Sequence, residues 1–244
     1  MSNPHDEALA RTALYELLSM AFLYPGGDTA APVADAARKL TPLAASLGWQ
    51  QVEQALRDVG QQAGELTEPE FLAEHTRVFG HIISPDCAPY EAEYGQAHVF
   101  QKSQTLADLN AFYNAFGVTA NPENKDRADH ISAEMEFMHL LTLKEAYARK
   151  DADGDQNVLV CRRAQQAFLA DHLANWVLPF AKRLAEKAGS GSVYASLGKL
   201  LETHMRREFG TFQIDPAPPD QVATPAPVED DQECYAIPRE VGSL

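Results

Sequence analysis

The segment Asp126–Lys150 reads DRADHISAEMEFMHLLTLKEAYARK. It opens on an acid–imidazole pair, Asp129-His130, and continues as unbroken helix-forming sequence. Ile131, Met135 and Met138 recur at i, i+4 and i+7, which is one face of an α-helix. Phe137, Leu140, Leu141 and Lys144 widen that face well past a narrow stripe, and a helix apolar over so much of its circumference is buried on more than one side. The spacing predicts the central helix of an all-α domain, with Asp129 and His130 where that helix meets the surface. An aspartate just before an apolar-periodic run is also a good N-cap, which would make His130 the first helical residue and nothing more.

Outward from this helix, the chain reads as helices separated by turn residues. Residues 5–24 carry Leu9, Ala13, Leu17, Met20 and Tyr24 on one face and end at Pro25-Gly26-Gly27. Residues 30–47 are Ala-rich, with Pro42 predicted to break or restart the helix. Trp49–Ala63 and Glu68–Ile82 follow, the second with Phe71, Leu72, His75, Val78 and Phe79 inward. Prolines 85 and 89 impose a loop, then an acidic, aromatic segment, Tyr90-Glu91-Ala92-Glu93-Tyr94-Gly95. Helix is predicted again from Leu106, capped by Ser103 or Thr105, with Leu106, Leu109, Tyr113 and Phe116 as its stripe. Beyond the central helix, one helix is predicted from Asn157 toward Lys187, kinked at Pro179, and a last one over Val193–Phe209. No period-2 alternation points to a strand.

The prediction is therefore a single all-α, bundle-like domain of about eight or more helices over residues 1–210. Residues 211–244 hold six of the chain's fifteen prolines and many acids, and are expected to form a disordered tail, with Tyr235–Pro238 as a short anchor.

A net charge of −15 argues against binding nucleic-acid backbones or anionic lipid and favours basic partners. Cys87, Cys161 and Cys234 form no C-x-x-C pair, which fits a reducing compartment. With no run of 18 apolar residues and no basic leader, the expected location is the cytoplasm. The common nucleotide-binding and serine-hydrolase fingerprints are absent. The one metal-like pattern is Glu136-x-x-His139, which with His130 and Glu134 offers an alternative reading as a helical metalloenzyme.

Taken together, Glu91–Gly95, Leu106–Leu109 with Phe112-Tyr113 and Phe116-Gly117, Arg127–Ile131 and Glu134–Met138 resemble the TorD/DmsD/NarJ family of chaperones for molybdenum enzymes of the dimethyl sulfoxide reductase type. The resemblance is strongest over residues 70–150. It departs from the family pattern at Ala128, where a proline is usual, and at His75, where an aromatic ring is more common. It implies an all-helical cytoplasmic chaperone, not an enzyme, with no cofactor or metal of its own. Its partner would be the apo form of a molybdoenzyme catalytic subunit with its twin-arginine signal peptide, held until the cofactor is inserted. It implies peptide-binding roles for Asp129 and His130, for His75, Val78 and Phe79, and for Glu91, Glu93 and Tyr94 as groove lining. A monomer and a domain-swapped dimer hinged near residues 83–90 both stay open.

The residue chemistry supports the same expectation independently. A twin-arginine leader has a basic head and an apolar middle. Carboxylates at Asp129, Glu91 and Glu93 suit guanidinium groups, which pair with them as a fork. Val78, Phe79 and Met135 suit the apolar middle. Release of the client asks for an affinity near micromolar, about −8 kcal/mol.

Overall fold

The computed structural model describes residues 3–80, 86–94, 99–118, 127–151 and 153–218, without the side chains of residues 99–101. Among them are nine α-helices: α1 (Pro4–Phe22), α2 (Ala30–Ser46), α3 (Gln50–Glu65), α4 (Glu68–Phe79), α5 (Val99–Ala115), α6 (Ile131–Ala148), α7 (Asp155–Asp171), α8 (Val177–Ala188) and α9 (Val193–Phe212). Short 3-10 turns lie at Glu91–Glu93 and Leu173–Asn175. The one β-type pairing among the described residues is an isolated antiparallel bridge between Tyr90 and His130. The all-α class expected from the sequence holds.

Helix α6 is the central one. It packs along α1 on one side and α7 on the other. Ile131, Met135, Phe137, Met138 and Leu141 are buried as the spacing predicts, but Lys144 is exposed and Glu145 takes the buried position instead. The face of α1 also differs from the predicted stripe. Leu9 and Tyr24 are exposed, while Leu14, Tyr15, Leu18 and the charged Arg11 are buried.

Those two departures have one cause. Arg11 reaches across the core from α1. Its Nε and Nη2 donate to Glu208 of α9 at 2.6–3.0 Å, its Nη1 to Glu145 of α6 at 3.0 Å, and its Nη2 also to Gln165 of α7 at 2.5 Å. Tyr15 Oη donates to Glu208 at 3.0 Å. Four helices are thus tied by one guanidinium. Burial works against every charge here, but mutual attraction outweighs it: Arg11 is held firmly protonated, and Glu208 is lowered to about 2.

Helix α2 runs unbroken through Pro42 to Ser46. Pro42 and Arg38, whose carbonyl loses its amide partner there, both lie on the exposed side of α2. The helix predicted over 157–187 is two helices. The break falls at 172–176, and Pro179 sits in the first turn of α8, where its missing N–H is no loss. Helix α5 starts seven residues before Leu106, since neither glycine nor proline intervenes after Val99. Helix α4 ends at Gly80, whose φ of 72° favours glycine, and Ile82 lies outside the described residues. At Gly198 a Cβ would come within 2.9 Å of the Ala181 carbonyl, so glycine sets how closely α9 approaches α8.

At the C-terminal end α9 continues three residues past Phe209, to Phe212, and Ala217 N–H donates to the Ala174 carbonyl at 2.9 Å. The expected disordered tail lies, from residue 219 on, outside the described residues, as do Cys234 and the Tyr235–Pro238 anchor.

Arg11→Met takes from buried Glu208 its main charge partner and leaves it Arg207 at 3.2 Å and the Tyr15 hydroxyl at 3.0 Å, and we expect a loss of about 3–5 kcal/mol in urea unfolding at neutral pH. The double variant Arg11→Met/Glu208→Met should lose less than the single one, because no buried charge is left unmatched. A double variant as damaged as the sum of both changes would contradict this.

Candidate functional site

Helix α6 begins at a junction of two strips of chain. Ile131 N–H donates to the Pro89 carbonyl and Glu91 N–H to the Asp129 carbonyl, both at 2.9 Å, which lays segment 89–93 antiparallel to 129–131. The N-cap is His130, one residue later than expected. Its Nδ1 accepts from the Ser132 amide at 3.2 Å and lies 2.6 Å from Ser132 Oγ. A neutral ring accepting at Nδ1 carries its proton on Nε2.

Asp129 is therefore free of capping duty. Its side chain has no exposed surface. Oδ2 accepts from the Ala92 amide at 3.1 Å, and Arg127 closes a fork on the carboxylate, Nε to Oδ1 at 3.0 Å and Nη2 to Oδ2 at 2.7 Å. The third arm of Arg127, Nη1, donates to Glu93 Oε1 at 3.2 Å, and Lys102 Nζ donates to the other Glu93 oxygen at 2.7 Å. The Arg127 guanidinium lies over the Tyr90 ring, 4.5 Å from its centre, and Tyr90 packs edge-on to His130. Burial opposes the charge on Glu93, but Lys102 and Arg127 outweigh it and lower its pKa.

Glu91 faces the other way. Both its oxygens are 3.1 Å from His172 Nδ1. Beside it is Glu134, fully buried, which accepts from Trp176 Nε1 at 3.2 Å through one oxygen and has no donor to the other. Burial, then the charge of Glu91, raises Glu134 well above the usual carboxylate range. Glu91 is raised too, chiefly by burial.

The apolar candidates sit alongside. His75 packs against Tyr24, Phe79 and Tyr194. Burial, with His130 nearby, lowers its pKa to about 4. Burial, with Arg127 nearby, does the same to His130. Phe79 and Tyr94 both lie against Phe180, which joins α4 to the 90–94 segment. His75, Phe79, Glu91, Glu93, Tyr94, Asp129 and His130 thus fall in one region, although α4 and the start of α6 are over fifty positions apart. Within it, Val78, Met135 and Asp129 have no exposed surface, His75, Phe79, Tyr94 and His130 are buried with only a small part exposed, and Glu93 is half-buried, so Asp129 and His130 do not meet the surface as expected.

The sequence reading gives His172 and Arg127 no role, takes Trp176 only as part of an apolar helix face, and takes Glu134 as a possible metal ligand rather than a buried partner of Trp176. The signal for Glu134 was present: it falls at i+3 from Ile131, on the apolar side of α6. The geometry does not favour the metalloenzyme alternative. Glu136 is exposed, His139 Nδ1 lies 3.1 Å from the Thr12 carbonyl, and Glu134 is committed to the core with Trp176. Among the described residues no group of three or more His, Cys, Asp or Glu is placed to hold an ion.

A family model described as nitrate reductase delta subunit matches residues 22–182, a span that includes the whole site. The chain belongs to this family. This is the TorD/DmsD/NarJ kinship that the motifs indicated, and it extends beyond residues 70–150 on both sides. Among its relatives, the perchlorate reductase assembly chaperone protein of Dechloromonas aromatica is 28% identical over 184 residues, covering 70% of this chain and 76% of the relative. The chlorate reductase assembly chaperone protein of Ideonella dechloratans is 34% identical over 103 residues, 42% of this chain and 52% of the relative. Chaperone protein TorD of Photobacterium profundum is 26% identical over 132 residues, 54% and 59%. The chain thus spans about three quarters of the first and little more than half of the other two. No helix among the described residues is long and apolar enough to cross a membrane.

The buried histidines of this family member set a pH dependence. His75, His130 and His204 each have a folded pKa of about 4, below the 6.5 of an unfolded histidine. The unfolded chain therefore takes up protons first as pH falls. Their stabilising effect is complete above about pH 6.5 and is lost between there and pH 4, by up to about 1.4 kcal/mol per pH unit for each. Urea midpoints at pH 7.5 and 5 should show the decline, and His75→Phe, whose ring fits among Tyr24, Phe79 and Tyr194, should flatten it. Equal midpoints would contradict the assignment.

Proposed function

We propose that this chain is a cytoplasmic, client-specific and non-catalytic chaperone. It binds the twin-arginine leader and apo form of a molybdenum oxidoreductase of the dimethyl sulfoxide reductase type and assists cofactor insertion before export. Family membership supports the class, and the named relatives are assembly chaperones of reductases. The observation that carries the site is the arrangement at the start of α6. Asp129 and Glu93 converge on a single guanidinium, with Tyr90 as its platform.

On this reading Asp129, Glu93 and His130 receive the basic head of the leader, with Glu91 behind them. His75, Phe79 and Tyr94, backed by Val78, receive its apolar middle. A bidentate pair discriminates arginine from lysine, because an ammonium cannot reproduce the fork. The chain turns over no substrate; its product is a client delivered with its cofactor.

Titration calorimetry with a synthetic twin-arginine leader should give a dissociation constant near micromolar, about −8 kcal/mol. A twin-lysine version should bind about tenfold more weakly, and so should the native leader to Glu93→Gln. Equal binding of both peptides would contradict the guanidinium site. Co-purification from the native host should recover a reductase catalytic subunit.

A further inference from the structure

Arg127 stands where the proposed function needs a client's arginine to stand. Its fork on Asp129 and its third contact, to Glu93, use the acidic groups a leader would need. The remaining Glu93 oxygen is taken by Lys102. The Arg127 side chain is 32% exposed, whereas the Asp129 side chain beneath it is fully covered. Among the described residues, Arg127 is the partly exposed group that lies against both oxygens of this covered carboxylate.

Arg127 is held there by matched charge and by the Tyr90 ring, and about a third of its side chain remains exposed. Asp129 lies near Glu91 and Glu134, so an empty place above it would leave acids close together in a low-dielectric setting. The position must stay filled until an equivalent group arrives.

We propose that Arg127 is an exchangeable internal occupant of a guanidinium site formed by Asp129, Glu93 and Tyr90, and that an external guanidinium enters by displacing it. As a device for leader recognition, this rests on the chaperone reading above. It makes binding an exchange of one fork for another, so the net gain is small and the complex is releasable. It also raises the threshold against partial mimics. A lysine or a lone backbone amide does not replace all the hydrogen bonds that Arg127 gives up.

Two measurements test this separately. The first needs no client. Arg127→Ala should lower the melting temperature, and millimolar ethylguanidinium should restore several degrees of it, as expected when a ligand binds the folded form alone. Ethylammonium should not, and wild type should not respond. The second uses the twin-arginine leader peptide. Arg127→Gln should bind it about five- to tenfold more tightly than wild type, since nothing has to be displaced.

Failure of ethylguanidinium to raise the melting temperature of Arg127→Ala, or weaker leader binding by Arg127→Gln, overturns the proposal and leaves Arg127 as a fixed strut. If ethylguanidinium rescues Arg127→Ala but neither wild type nor Arg127→Gln binds any leader, the exchangeable site stands. It is then the leader-binding reading that falls.

Discussion

A carboxylate that stays charged with no exposed surface must be matched by positive charge and hydrogen bonds, and at Asp129 that requirement organises the surroundings. The Ala92 amide and the Arg127 fork satisfy it. To reach it, segment 89–93 has to lie against the start of α6, which places Glu93 and Tyr90 beside the same guanidinium. His130 becomes the N-cap because Asp129 is occupied elsewhere. The chemistry of the site is thus a consequence of one buried charge, positioned by a helix that the core already needs.

The same logic operates at the other end of α6. Arg11, Glu145, Glu208 and Gln165 form a polar knot with no exposed member, and it ties α1, α6, α7 and α9 together. Replacing such knots with apolar residues is often neutral for stability, whereas breaking them is costly. What this one adds is a fixed relation between α1 and α6, the helix that carries His130 at its tip.

Much of the fold was legible because helical periodicity and turn residues are local. The burial of Leu109 and Tyr113 and the stop at Gly117 follow from sequence, as do the inward Leu197, Leu200, Leu201 and His204. Errors came where a tertiary partner outranked local preference. The face of α1 turns to bury Arg11, which no hydropathy reading selects. Pro42 is tolerated because its side of α2 is wet. Pro179 stops a helix upstream of itself, a matter of register within the first turn.

The site was legible as a set of residues but not as an arrangement. Asp129, Glu91 and Glu93 read as three acids awaiting a basic peptide, since sequence shows charges and not their partners. Folding divides them. Glu91 turns inward to His172, Glu93 stays near the surface between Lys102 and Arg127, and Asp129 is sealed beneath Arg127. Arg127 was visible next to Ala128, where the family motif is broken; its meaning depends on Glu93 and Tyr90, more than thirty positions away. A structure of the chain with a twin-arginine leader peptide bound tests the account most directly. One leader guanidinium should lie forked on Asp129, with the Arg127 side chain moved off the Tyr90 ring. A bound leader that leaves the Arg127–Asp129 fork intact and lies away from the start of α6 would contradict it.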